Sequence, residues 1–232
     1  MLRSGQVKAN RVASFNREVK EEINKSPVYC IDGIASIGMC REIDRAQEKG
    51  DTLGGVFEVI IIGVPIGLGS YVEWDRRLDA RLASAFMSIP GVKAVEIGEG
   101  VEASKKKGSA VHDEIFAQEE SQKDSFRYYR KTNRAGGIEG GITNGGDVVV
   151  RANIKPIPTL INPLRSIDFT TKKETKAIYQ RSDICVVPAA SVVGEAVASW
   201  EIATAFLEKF GGDSLLEIKE NYKNYRKRLQ KI

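Results

Sequence analysis

Residues 147–160, DVVVRANIKPIPTL, set Val148, Val150, Ala152 and Ile154 against Val149, Arg151, Asn153 and Lys155. A period of two marks a β-strand with one apolar and one polar face, so this stretch commits the chain to a sheet with a buried side. It also puts Lys155 at the strand end, on the polar side. Residues 56–64, VFEVIIIGV, are rich in β-branched side chains and close at Pro65. They read as a buried strand feeding the glycine-spaced loop PIGLGS. Residues 92–97 read as another strand, running into Gly98 and Gly100.

Helical spacing separates these strands. Val12, Phe15, Val19 and Ile23 recur among charges until Pro27 limits the helix. Residues 36–49 form a second amphipathic stretch with a glycine stop at Gly50, and residues 75–87 place Leu78, Leu82, Ala85 and Phe86 on one side before Pro90. Residues 192–210 carry the broadest apolar stripe: Val193, Ala196, Val197, Trp200, Ala203 and Phe206 lead to Leu207 and Phe210, and Gly211 and Gly212 end it. Ser214 with Glu217 spells a capping box for a last helix. The polar stretch 105–132 reads as a long excursion with little regular structure. Several strands are joined by turns too short for a crossover helix, which favours an α+β sandwich over a parallel doubly wound sheet.

With 232 residues, 42% hydrophobic and 28% charged, the chain suits one sizeable domain over residues 1–232. The net charge of +4 is scattered apart from Lys105 to Lys107 and the tail 223–231, so a nucleic-acid partner is not expected. The tail NYKNYRKRLQKI, with tyrosines between cations, is the one feature favouring such a partner. Cys30, Cys40 and Cys185 are odd in number, far apart and without zinc spacing. They suit a reducing, cytoplasmic setting, and no metal site is expected. The N-terminus has no apolar signal region, and the run 56–65 is broken by Glu58 and Gly63. Neither secretion nor membrane insertion is expected.

Residues 132–146, TNRAGGIEGGITNGG, hold six glycines. Glycine allows positive φ and close backbone approach, so the stretch fits a loop presenting N–H groups to a ligand, and equally a cluster of structural turns. It lacks the dinucleotide and Walker patterns. Soon after comes KPIPT, Lys155 to Thr159, where two prolines rigidify a lysine-led turn. Arg181, Ser182 and Asp183 precede the apolar CVVPAASVVGEA; they fit the polar rim of a buried site or an ion pair at a helix entry. His112, the only histidine, stands in no catalytic pattern.

From about residue 26 onward, the ordered set GDTLGG, GVPIGLGS, WDRRLDARLASAFMSIPGVKAVEIGEG, NRAGGIEGGITNG, VRANIKPIPTL, PLRSID, RSDICVVPAASVVGEA and LEKFGGDSL resembles chorismate synthase. The resemblance implies a layered α+β sandwich of antiparallel sheets and helices, a homotetramer, and a carbon-oxygen lyase of the shikimate pathway leading to aromatic amino acids. Members convert 5-enolpyruvylshikimate 3-phosphate to chorismate by a 1,4-elimination of phosphate that needs reduced FMN. Carried over position by position, flavin contacts fall on Pro90, Gly91, Gly140, Lys155, Pro156, Ile157, Pro158, Thr159 and Arg181, and catalytic roles on Asp183 and Arg181. Many relatives have Asn-Ala at Pro90-Gly91 and His in place of Ser182. The family pattern also opens with a Gly-Glu-Ser-His-Gly segment, an arginine-rich stretch, a second histidine and an arginine-serine motif that grips the FMN phosphate; none is found in this sequence. The expectation is a fold truncated at the N-terminus, inactive alone and with a weakened flavin grip, with three explanations open: a truncated gene or assembly fragment, a split enzyme completed by a separate N-terminal chain, or a degenerate protein with a different job. The alternative is a non-catalytic fragment or scaffold subunit.

Overall fold

The structure is a computed structural model that describes residues 3–9, 17–117, 128–180 and 183–231. Strands β1 (Arg3–Ser4) and β2 (Val7–Lys8) precede helices α1 (Arg17–Lys25) and α2 (Gly33–Glu48). Next come β3 (Gly55–Ile61), α3 (Leu78–Met87) and β4 (Val92–Ile97), then α4 (Gly108–Val111), β5 (Ile115–Ala117), β6 (Tyr128–Arg130), β7 (Ile138–Glu139), β8 (Ile142–Thr143) and β9 (Val148–Ile154). Strands β10 (Arg165–Ile167) and β11 (Glu174–Lys176) lead to α5 (Val187–Phe210) and α6 (Leu215–Leu229). The largest sheet has the order β2-β1-β3-β9-β4, with β1 antiparallel to β2 and to β3. Three antiparallel pairs, β5-β6, β7-β8 and β10-β11, complete an α+β fold.

The chain divides into two compact units, each drawn from three segments. The first comprises Met1–Val59, Phe86–Val95 and Arg151–Glu195. In it α2 starts where Asp32 accepts the Ala35 N–H at 3.0 Å, and it lies against β1 and β2 with Met39 fully buried. Phe57 stacks on Phe86 with ring centroids 6.2 Å apart, and Gly194 of α5 faces the Phe57 ring. The second comprises Ile60–Ala85, Glu96–Val150 and Ala196–Ile232. Its core includes Leu68, Leu78, Leu82, Val148 and Val150. Arg81 bridges Glu201 at 3.0 Å and Glu208 at 2.8 Å. The expected capping box of Ser214 and Glu217 opens α6.

Several sequence expectations change. Helix α2 begins three residues before position 36, because the Asp32 cap outranks the hydrophobic spacing. Strand β3 stops at Ile61 rather than Val64, and the start of the third helix is a separate 3-10 turn, Trp74–Arg76. The region 105–132, expected as a long excursion with little regular structure, holds α4, β5 and β6 among its described residues, elements of four, three and three residues that carry too little periodicity to read. The part of the first helix at Val12 and Phe15 lies outside the described residues. Strand β9 is buried on both faces at its centre, since Arg151 is only 8% exposed. In α5 the buried line is Val187, Ala190, Gly194, Ala198 and Ala205, whereas Trp200 is 74% exposed and Val193 and Leu207 are about half exposed. Small residues let a helix lie close to its support; of the expected stripe Val193, Trp200 and Leu207 face away, while Phe210 at the helix end is buried.

Candidate functional site

In the first unit the segment GDTLGG, residues 50–55, is a hub. The Thr52 hydroxyl donates to the Ile157 carbonyl at 2.7 Å, and the Leu53 N–H donates to the Ile184 carbonyl at 2.8 Å. Leu53 and Cys185 form an isolated parallel bridge. The Gly50 carbonyl accepts from the Asn162 N–H at 3.1 Å, and the Lys49 carbonyl accepts from the Asn162 amide at 2.6 Å. Gly54 must lack a side chain: a Cβ there would lie 2.4 Å from the Ile154 carbonyl oxygen and 2.9 Å from Pro156 Cδ. From the other side, the Lys155 N–H donates to the Gly91 carbonyl at 2.9 Å. The lysine-led turn is therefore fixed at its first residue by Gly91, at its middle by Thr52 and at its base by Gly54. Prolines 156 and 158 remove two backbone freedoms more.

Of the sequence candidates, Pro90, Gly91, Lys155, Pro156, Ile157, Pro158, Thr159 and Asp183 all belong to this unit. Pro90, Lys155, Pro156, Pro158 and Asp183 are exposed, while Gly91, Ile157 and Thr159 are half-buried. Among the described residues neither Lys155 nor Asp183 is paired with an opposite charge. Arg181 lies outside the described residues. Thr52, Leu53 and Gly54 were legible only as part of a motif; nothing local reveals that they anchor segments about a hundred residues away.

Gly140 belongs to the second unit. It and Gly141 form the two-residue turn between β7 and β8, both with positive φ (61° and 84°), as a tight hairpin of this twist demands. Gly140 is exposed with open space around its missing Cβ. The hairpin is held by the loop 65–70: the Gly67 N–H donates to the Thr143 carbonyl at 2.8 Å and the Thr143 N–H to the Leu68 carbonyl at 3.0 Å. The Thr143 hydroxyl donates to the Pro65 carbonyl at 2.6 Å.

Asp113, next to the lone His112, organises the start of the glycine-rich stretch. Its carboxylate accepts from the Thr132 hydroxyl at 2.5 Å, the Arg134 N–H at 3.0 Å and the Ala135 N–H at 2.9 Å. Burial alone would raise its pKa, but the hydrogen bonds from Ala135, Thr132 and Arg134 outweigh it and hold the carboxyl below its ordinary value. A lowered folded pKa contributes stability that is complete above the unfolded value, near 3.8, and is lost as pH falls through the folded one. Asp113→Asn is therefore expected to lower stability by about 1.5–3 kcal/mol at pH 7. The gap to the unsubstituted protein should narrow in urea titrations below pH 3; an unchanged gap there would contradict the assignment.

The chorismate synthase family profile matches residues 2–207. The chain belongs to the chorismate synthase family. It is 53% identical over 230 residues to the chorismate synthase of Pelobacter propionicus, covering 98% of this chain and 58% of that protein. It is 54% identical over 223 residues to that of Geotalea daltonii, covering 95% and 57%. A crystal structure of a chorismate synthase superposes with a TM-score of 0.81 at 38% identity, covering all of this chain and 62% of that one. The chain thus spans about three-fifths of the length of these relatives. The likeness to the chorismate synthase family begins at residue 2 rather than near residue 26, so β1 and β2 belong to it.

Reduced FMN, the cofactor the chorismate synthase resemblance implies, can be tested against the residues present. An anionic planar ring needs a cation not already neutralised, rigid backbone beside it and some apolar surface. The Lys155–Thr159 turn offers an exposed ammonium with no carboxylate partner among the described residues. It also offers two prolines and the half-buried Ile157. The residues fit.

Proposed function

We propose that this chain supplies the lysine-led wall of the flavin site in a chorismate synthase, a lyase that removes phosphate from 5-enolpyruvylshikimate 3-phosphate with reduced FMN. The observation that carries this reading is the convergence on residues 52–54 of the lysine-led turn and of Ile184, the neighbour of Asp183, with Gly91 bonded to the turn at Lys155, in a chain of this family. Reduced FMN, when bound, supplies electron density to the substrate as phosphate departs. The Lys155 ammonium, exposed and carried on a turn held by Gly91, Thr52 and Gly54, would hold negative charge beside the turn. Asp183, with a carboxylate free of a cationic partner among the described residues, accepts a proton at a carboxylate oxygen. Arg181 adds a second cation for the leaving phosphate.

The assembly we propose is a homotetramer, supported by the exposed apolar row Val193, Trp200 and Leu207 on α5; contiguous apolar surface of this type usually marks an interface. The same row supports the second reading, a scaffold subunit. Free Cys30, Cys40 and Cys185 support a reducing, cytoplasmic location.

The deciding experiment mixes the purified chain with the N-terminal part of a relative that it does not span, under anaerobic conditions with reduced FMN and 5-enolpyruvylshikimate 3-phosphate. Chorismate is expected to form, and to fail to form with Lys155→Ala. Assembly of the two parts without turnover would favour the scaffold reading, and turnover indifferent to Lys155 would remove its proposed role.

A further inference from the structure

Helix α6 crosses the end of α5, and a ring cluster fastens the crossing. Tyr222 packs edge-on against Phe206 and Phe210, with centroids 5.3 and 5.2 Å away, and Tyr225 against Phe210 at 5.4 Å. The Tyr225 hydroxyl donates to the Ile66 carbonyl at 3.0 Å. The tyrosines of the basic tail are thus occupied in packing and are not a platform for stacked bases. Beside this crossing is a surface cavity of about 650 Å³, within the size range of small-molecule sites. Lys209, Lys227 and Arg228 line it, together with Asn221 and Asn224.

Its charge is one-sided. Among the described residues none of the three cations is paired with a carboxylate. The Lys209 ammonium sits over the Tyr225 ring at 4.6 Å and the Arg228 guanidinium near the same ring at 5.9 Å. Burial, and secondarily the charge of Arg228, hold Lys209 below the usual lysine range. Lys209 stands in the last turn of α5, and Lys227 and Arg228 in the last turn of α6, where each helix dipole favours cations; the packing of α6 on the end of α5 brings both sets to one cavity.

We propose that this cavity is a binding site for a small phosphorylated metabolite, whose phosphate is held by Lys209, Lys227 and Arg228 and oriented by the Asn224 amide. A phosphate dianion would offset two of the three positive charges gathered there, and charge-assisted hydrogen bonds are the strong ones. The inference does not depend on the proposed lyase function.

The test is calorimetric titration of the full chain with pyrophosphate at fixed ionic strength. Saturable binding of one pyrophosphate per chain is expected. Lys209→Gln with Arg228→Gln should weaken it by at least about ten-fold, while Lys219→Gln, on the same helix but outside the lining, leaves it unchanged. Matching far-UV spectra confirm that the variants are folded, and Lys227→Gln alone serves as a milder second probe. Absent or unsaturable binding, or equal affinity in the variants, would overturn the site. So would an oligonucleotide that binds far more tightly than pyrophosphate with a steep salt dependence, which would make the patch a nucleic-acid surface.

Discussion

Changing Arg151 to Met is expected to lower the stability of the fold by about 3–5 kcal/mol in urea unfolding. Arg151 donates to the same Glu58 carboxylate oxygen twice, from Nε at 3.2 Å and from Nη2 at 3.0 Å. Both side chains are only 9% exposed, so removing the guanidinium leaves a carboxylate largely cut off from water. The pair itself need not be strongly favourable, because two charges lose hydration to form it. The double variant Glu58→Met with Arg151→Met should therefore recover most of what the single variant loses. A single-variant cost below about 1 kcal/mol, the range of surface pairs, would show that water reaches Glu58 and that the pair is not buried in solution.

Gly54→Ala is expected to cost about 1–3 kcal/mol through overpacking and to weaken reduced-flavin binding by more than about ten-fold, which corresponds to 1.4 kcal/mol. The new methyl group would meet the Ile154 carbonyl oxygen at 2.4 Å and Pro156 at 2.9 Å. Neither is the end of a flexible side chain, so strand β9 and the Lys155 turn must shift together. Gly211→Ala is the comparison, since nothing lies within 4 Å of its missing Cβ and only its positive φ is strained, at about 1–2 kcal/mol. Flavin titration and urea unfolding on both variants separate displacement of the turn from simple loss of stability. Undiminished flavin binding by a folded Gly54→Ala protein would dissociate the turn from the ligand.

The sequence was most informative where one short stretch carried its own explanation. Strand β4 occupies the expected residues 92–97, Ser214 and Glu217 close the capping box, and the two prolines mark the rigid turn after β9. It was least informative where a partner lies far along the chain. Arg151 reads as a solvated residue until Glu58, 93 positions away, is placed beside it. Trp200 reads as core because it shares a stripe with Phe206, yet a helix supported through Ala198 and Ala205 leaves that tryptophan outside. Asp113 resembles any acidic residue in a polar stretch; its role exists only once the backbone of Arg134 and Ala135 comes round to it.

The hub at residues 50–54 has a kinetic corollary. Thr52 waits for Ile157, 105 residues downstream, and Leu53 waits for Ile184, so these clasps close some of the longest loops in the molecule. Loop closure on that scale slows the steps that depend on it, whereas α2 and the β1-β2 pair can organise from neighbours in the chain. During synthesis the hub that carries the lysine-led turn gains its last clasp only after Ile184 has left the ribosome, so ligand capture there should be among the final properties a newborn chain acquires.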